Sequence, residues 1–187
     1  MNRFVAGICA VLVTGLLGVV APVGAVDSIT AKSGLEKAVA ESKKWKSDAE
    51  LAAVGTSKGK ADGTSFYWNY DFQSKKTHTC ARVIILATGK VTTQDFGNCT
   101  FSKLIATTFV DSPAAVAGAK AGGFQAGEEI NINLTHRRDR NLTPSRECWS
   151  VSSFEHDFDK NNAVMRGWCV DPKNGKFVTA LAGEGGK

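Results

Sequence analysis

The chain has 187 residues, with 23 Lys and Arg against 18 Asp and Glu, a formal net charge of +5, and five cysteines. That length allows one ordinary domain or two small ones. The charge excess is small and its lysines are scattered, which argues against the basic stripe of a nucleic-acid-binding surface.

Residues 1–25 read as a signal peptide. Arg3 supplies the positive start, Phe4 to Val20 is apolar with Gly breaks, and Val23-Gly24-Ala25 is a small-residue cleavage site. The apolar run is short and Pro22 follows it, which fits a cleaved leader better than an anchor. Removing the first 25 of 187 residues leaves 162. No later run is long enough to span a bilayer, so the expectation is an exported protein, periplasmic or secreted, that is not membrane-spanning after cleavage. Cys80, Cys99, Cys148 and Cys169 remain, an even number that in an exported chain points to disulfides. Four cysteines allow three connectivities. Zinc is the rival, but no C-x-x-C spacing is present.

In chain order, Ile29 to Trp45 has helical periodicity, with Leu35, Ala38, Val39, Ser42 and Trp45 on one side. Glu50 to Ser57 reads as a first strand. Gly59 to Gly63 is a turn. In Ser65 to Ser74, Phe66, Trp68, Tyr70 and Phe72 alternate with Tyr67, Asn69, Asp71 and Gln73, which predicts a strand with one aromatic and one mostly polar face. His78 to Ala87 and Lys90 to Phe96 follow as a hairpin around Thr88-Gly89. Residues 99–110 form a connector that is too apolar to be a flexible linker.

The pattern then restarts. Asp111-Ser112-Pro113 opens a short helix that runs to Ala121 and stops at Gly122-Gly123. Phe124 follows Trp45 at a distance of 79 residues and Trp149 follows Trp68 at 81. Glu129 to Thr135 alternates as a strand. His136 to Arg146 reads as a polar, basic loop, Glu147 to Phe154 as a strand and Glu155 to Asn162 as a turn. Ala163 to Val170 and Lys176 to Leu181 close as a hairpin around Asp171-Pro172-Lys173-Asn174-Gly175. Its Gly-Lys-Phe-Val-Thr at 175–179 echoes Gly-Lys-Val-Thr-Thr at 89–93.

These elements predict an α+β fold of two repeats, each one helix packed on a four-stranded antiparallel meander. The boundaries are 26–98 for the first repeat, 99–110 for the connector and 111–187 for the second. The hairpin reading favours Cys80–Cys99 and Cys148–Cys169, one bridge per half, as a small core would need.

A helix, an antiparallel sheet and the closing Val170-Asp171-Pro172-Lys173-Asn174-Gly175-Lys176-Phe177 hairpin resemble the PepSY-like domains, which are related in shape to the cystatin-like layout. The stretch from Trp45 through Asp48-Ala49, Leu51 and Asp62-Gly63 to Trp68 is similar to bacterial exported proteins of this type. The first half departs from the hairpin motif, with Leu86-Ala87-Thr88-Gly89 at its turn. The resemblance implies a module that binds another protein, a protease or an envelope component, and it carries over no catalytic residue.

Among residues that could carry chemistry, His78, His136 and His156 fall in separate segments, and no serine elbow, HExxH or phosphate loop is present. The expectation is therefore no enzyme, no cofactor and no metal site. Asp157, Asp159 and Asn161 look like the opening of a calcium loop, but Asn162 stands where Gly is needed and Trp168 where Glu is needed. His136, Arg137, Arg138, Arg140 and Arg146 form the densest positive cluster and the leading surface candidate. Trp68 and Trp149 belong to the alternative function, a small-ligand or lipid-binding protein that uses an aromatic face between helix and sheet. Asn98, Asn133 and Asn141 each stand in a glycosylation pattern.

Overall fold

The computed structural model describes residues 27–99, 101–157 and 162–182. The expected signal peptide lies outside the described residues. In chain order the elements are α1 (Leu35–Trp45), β1 (Ala49–Gly59), β2 (Tyr67–Ser74), β3 (Thr79–Leu86), β4 (Val91–Asn98), α2 (Ser112–Ala121), β5 (Ile130–Asp139), β6 (Leu142–Asp157), β7 (Asn162–Val170) and β8 (Phe177–Leu181).

The expected pair of helix-on-meander units is corrected by the sheet. All eight strands form one antiparallel sheet in the order β4-β3-β2-β1-β5-β6-β7-β8. Among the described residues, helix is confined to segments of 11 and 10 residues. The cause is the pairing of β1 with β5, with Val54 opposite Leu134, Gly55 opposite Asn133 and Thr56 opposite Ile132. Each of these strands would otherwise be an open edge, and pairing them removes both edges at once.

One face of this sheet carries a shared core. Trp68, Tyr70, Phe72, Val54, Leu134, Trp149 and Val151 belong to a single buried cluster, into which α2 sends Ala115, Val116 and Ala119. Leu35, Val39 and Trp45 of α1 pack against the same cluster. Both helices therefore cover the same face. Full burial of a side chain such as Phe72 contributes roughly 1.5–3 kcal/mol.

Helix α1 starts six residues later than its periodicity suggests. Ile29 instead pairs with Ser65, its amide donating at 2.8 Å and its carbonyl accepting at 2.9 Å. The Ile29 and Ala31 carbonyls also accept from the buried Trp68 indole, at 2.9 Å, and the Tyr70 hydroxyl, at 2.6 Å. Helix α2 begins as expected, with the Asp111 carboxylate accepting from the Ser112 amide and, across the halves, from the Lys32 amide, each at 2.8 Å. In the connector, the Ile105 amide donates to Leu51 and the Val110 amide to Pro172.

The basic segment at 136–146 is also corrected. It is not a loop: β5 continues to Asp139 and β6 starts at Leu142. Likewise β6 runs to Asp157 and β7 begins at Asn162, inside the expected turn, while residues 158–161 lie outside the described residues. Cys80 is bonded to Cys99 and Cys148 to Cys169, with Cα separations of 5.7 and 5.5 Å. On the face away from the helices, Cys148 and Cys169 pack with Leu142 and Leu181 in a second, small core. No helix among the described residues is long and apolar enough to cross a membrane.

Candidate functional site

With both helices on one face, the described residues leave the other face of the sheet uncovered at its centre. Strand alternation sends there the polar half of each pattern. Asn69 of β2 and Asn133 of β5 both stand opposite Gly55 of β1, so the three form one row across three strands. The next row is Asp71, Ala53 and Thr135. Gly55 and Ala53 make a low floor between taller polar walls. The Asn133 side-chain oxygen occupies the place a Cβ on Gly55 would take, so a larger residue there would push the amide aside. The result is a depression of about 290 Å³ with Asn69, Asp71, Arg82, Asn131 and Asn133 on its walls.

The charges at this site are fixed in place. The Arg82 guanidinium donates to both Asp71 oxygens, at 2.6 and 2.9 Å. That fork raises the Arg82 pKa above its ordinary value, chiefly through the Asp71 hydrogen bond and against the effect of burial. The guanidinium also lies 5.4 Å from the centre of the Phe96 ring. A partly exposed pair of this kind contributes little to stability. Its consequence here is orientation: a flat, neutralised wall beside the amide row. On the other side, Arg137 shares the strand face of Asn133 and Thr135, and its Nη1 reaches the Ser150 hydroxyl at 3.5 Å. Its Nε is buried with no partner. The surface therefore offers amides, hydroxyls and one incompletely satisfied guanidinium, a set suited to hydrogen-bonding a polar partner.

The sequence-predicted residues are distributed differently. His136 stands opposite Glu147 and Arg137 opposite Arg146 in the β5–β6 ladder. His136 and Arg146 meet in a second depression of about 440 Å³ beside Lys103, Asp171 and Lys173. There burial, then the Lys103 charge, lowers the His136 pKa below its ordinary value. Arg146 donates to Asp171 at 2.5 Å. Arg138 is exposed further along β5, and Arg140 is exposed at the hairpin tip. Alternation along β5 thus separates His136 and Arg138 from Arg137, which lies on the uncovered face, while Arg146, opposite Arg137, turns its guanidinium to Asp171. Trp68 and Trp149 are brought together, both wholly buried, with ring centroids 6.3 Å apart.

Asn69, Asp71, Arg82, Asn131 and Asn133 were missed as site residues. For the four on β2 and β5 the signal was the polar half of two alternating strands, Tyr67 to Gln73 and Glu129 to Thr135; Arg82, on β3, is placed by its pairing opposite Asp71. Among the described residues, no group of three or more His, Cys, Asp or Glu side chains converges as a metal centre. Asp159 and Asn161 of the calcium-like segment lie outside the described residues. Asn133, one of the three glycosylation-pattern asparagines, sits in this depression; Asn98 ends β4 and Asn141 is at the β5–β6 tip. No family model, curated protein or solved structure matches the chain.

Proposed function

We propose that the chain is an exported binding module, with no chemistry of its own, that takes a partner protein on the uncovered polar face of its sheet. The observation that carries this reading is the Asn69–Gly55–Asn133 row with its small-residue floor. In a sheet whose other face is fully packed, a central glycine flanked by amides leaves hydrogen-bonding groups accessible at low conformational cost. The walls are polar and already oriented by the Arg82–Asp71 fork, so a partner would meet a largely preformed surface. Export is supported by the two disulfides and by the leader pattern at 1–25. The PepSY-like resemblance of the closing hairpin supports a protease as the first partner to test, with an envelope component next.

The test compares the mature wild-type chain with Gly55→Gln and Asn69→Ala/Asn133→Ala as baits on the exported fraction of the source cells, alongside assays of the proteases in that fraction. The expected result is a protein retained by wild type and lost by both variants, with any change in protease activity lost in parallel. Recovery of the same proteins by all three baits would remove the uncovered face from the account. Recovery of none, with no effect on proteolysis, would count against a protein-binding role altogether.

A further inference from the structure

The two edges of the sheet are treated differently. At β8, the tip of the β5–β6 hairpin reaches over the last strand. The Asn141 side-chain amide donates to the Ala180 carbonyl at 3.2 Å, and the Ala182 amide donates to the Asp139 carboxylate at 3.1 Å. At β4, no strand lies beyond among the described residues, and residues 92–98 are exposed. An open edge presents unpaired amides and carbonyls that template another strand, and proteins usually block such edges with Lys, Pro or an inward charge. Val91 to Asn98 contains no Lys and no Pro. Its single charge, Asp95, is engaged by its own fold, accepting from the Trp45 indole and from the Gly97 amide, each at 2.8 Å.

The pairing with β3 identifies the free groups. The Leu86 amide donates to the Lys90 carbonyl at 3.0 Å, and Val91 to Asp95 then stand opposite Ile85 to Ala81 without a break. Bonded and non-bonded pairs alternate in an antiparallel ladder, so Thr92 and Gln94 face β3 while Val91, Thr93 and Asp95 point their amides and carbonyls outward. The regular run ends there, because Phe96 has no residue opposite it between the Asp95 and Gly97 pairs. Thr93 is thus the middle of three outward positions.

This arrangement is complementary to itself. When two β4 strands pair antiparallel about Thr93, Thr93 stands opposite its own copy and Val91 opposite the partner's Asp95. Each of the three pairs exchanges two bonds, so every outward group is used. Sliding the pair by one pleat would instead set Asp95 opposite the Gly89 turn or Val91 opposite Gly97, where the run has ended. Residues directly opposite share a face of the sheet. On the helix face Asp95 meets Val91, and two Thr93 side chains meet at the centre. On the other face Gln94 meets Thr92, and Lys90 meets Phe96, a ring that is 51% exposed and open to a cation. The charges also agree along the strands. Lys46 of the same chain already favours the charge on Asp95. The Lys37 amine donates to the Gly89 carbonyl at 2.6 Å, and Gly89 falls opposite the partner's Gly97, one pleat from the partner's Asp95. No two like charges stand opposite one another.

We infer that the outer edge of β4 is an interface for a second copy of this chain, which adds its own β4 antiparallel and centred on Thr93. Such an interface is isologous, the same surface on both copies, and closes as a two-fold dimer. The two sheets join into one, with the helices of both copies on the same side. The two uncovered faces then lie together on the other side, so a bound protein with two matching sites is held by both. The edge is separate from the uncovered face, so either assignment can fail without the other.

The test follows the mass of the mature chain against concentration by sedimentation equilibrium. The expected result is a reversible monomer–dimer equilibrium with a Kd below ~1 mM. Thr93→Lys sets two lysines opposite one another, and Thr93→Glu two carboxylates. Each alone is expected to weaken the dimer by roughly tenfold or more, and an equimolar mixture of the two is expected to restore it as a heterodimer. Independently of any variant, amide exchange at Val91, Thr93 and Asp95 of the wild type should slow as concentration rises, while Thr92 and Gln94, already paired, change little. A wild type that stays monomeric, a dimer that both single variants leave intact, or no added protection at the three outward amides overturns the proposal. So does a mixture that stays monomeric although each variant keeps the circular dichroism of the native sheet.

Discussion

Trp68 and Trp149 meet edge to face above the β1–β5 pair, their ring planes inclined at 80°. Each indole donates to a backbone carbonyl 39 residues upstream, Trp68 to Ile29 and Trp149 to Val110. The contact ties the two halves of the core to one another. Trp149→Ala should therefore destabilise the whole chain by about 3–5 kcal/mol, the usual cost of emptying a buried aromatic site. Denaturant unfolding followed separately by a probe in each half should remain one coincident transition. A double-mutant cycle with Trp68→Phe and Trp149→Phe should give a coupling of about 0.5–1.5 kcal/mol. Two separated transitions in the wild type would show that the halves fold independently.

Gly55 governs the uncovered face in a different way. A Cβ there meets the flexible end of the Asn133 side chain, which can move aside. Gly55→Ala should cost about 1 kcal/mol, since the new Cβ would also lie 3.1 Å from the Ile132 carbonyl, a backbone group that must give by a few tenths of an ångström. It should nonetheless shift the Asn133 side-chain amide signals in a nitrogen–proton correlation spectrum and reduce retention of the partner on the bait. Unmoved Asn133 signals would mean that the amide does not sit over Gly55 in solution.

The parts of the fold that were legible are those written in short-range periodicity. The alternation around Trp68 and Tyr70 located β2, and the placement of Asp111 and Pro113 located the start of α2. What could not be read is the partnership of β1 with β5. Val54 and Leu134 are 80 residues apart, and a strand carries no local mark of which distant strand it will join. The Asn69–Gly55–Asn133 row depends on that partnership and was hidden with it. The stretch His136 to Arg146 misled for a related reason. Few of its residues are apolar, Leu142 being the buried exception, so neither face of the hairpin shows the apolar alternation that marks a strand.

The two disulfides should differ in their response to reduction. Cys148 and Cys169 are both wholly buried, whereas Cys99 is only half-buried at the end of the open edge. Thiol–disulfide exchange requires access to a sulfur. Stepwise reduction of the native chain followed by alkylation and mass mapping should label Cys80 and Cys99 first. Replacing Cys148 and Cys169 together by Ala releases a loop of 21 residues and should cost about 3 kcal/mol. Simultaneous labelling of all four cysteines under native conditions would contradict the difference in access.

Tyr70 gives the fold an alkaline limit. Its ring is wholly buried beneath the Ala31 segment, and its hydroxyl donates to the Ala31 carbonyl at 2.6 Å. Burial, and then the Asp111 charge, push its pKa well above the ordinary tyrosine value. For an acid whose folded pKa is raised, the neutral form is the one the native state accepts. The stabilisation is thus complete below the unfolded value of about 10 and is lost as pH rises above it towards the folded pKa. Between the two values the loss from this group is about 1.4 kcal/mol per pH unit. Unfolding free energies measured from pH 9 upward should fall with that slope. Tyr70→Phe should start lower, by about 1 kcal/mol for the lost hydrogen bond, yet show a shallower alkaline decline. Parallel curves for the two proteins would assign the alkaline loss to other groups.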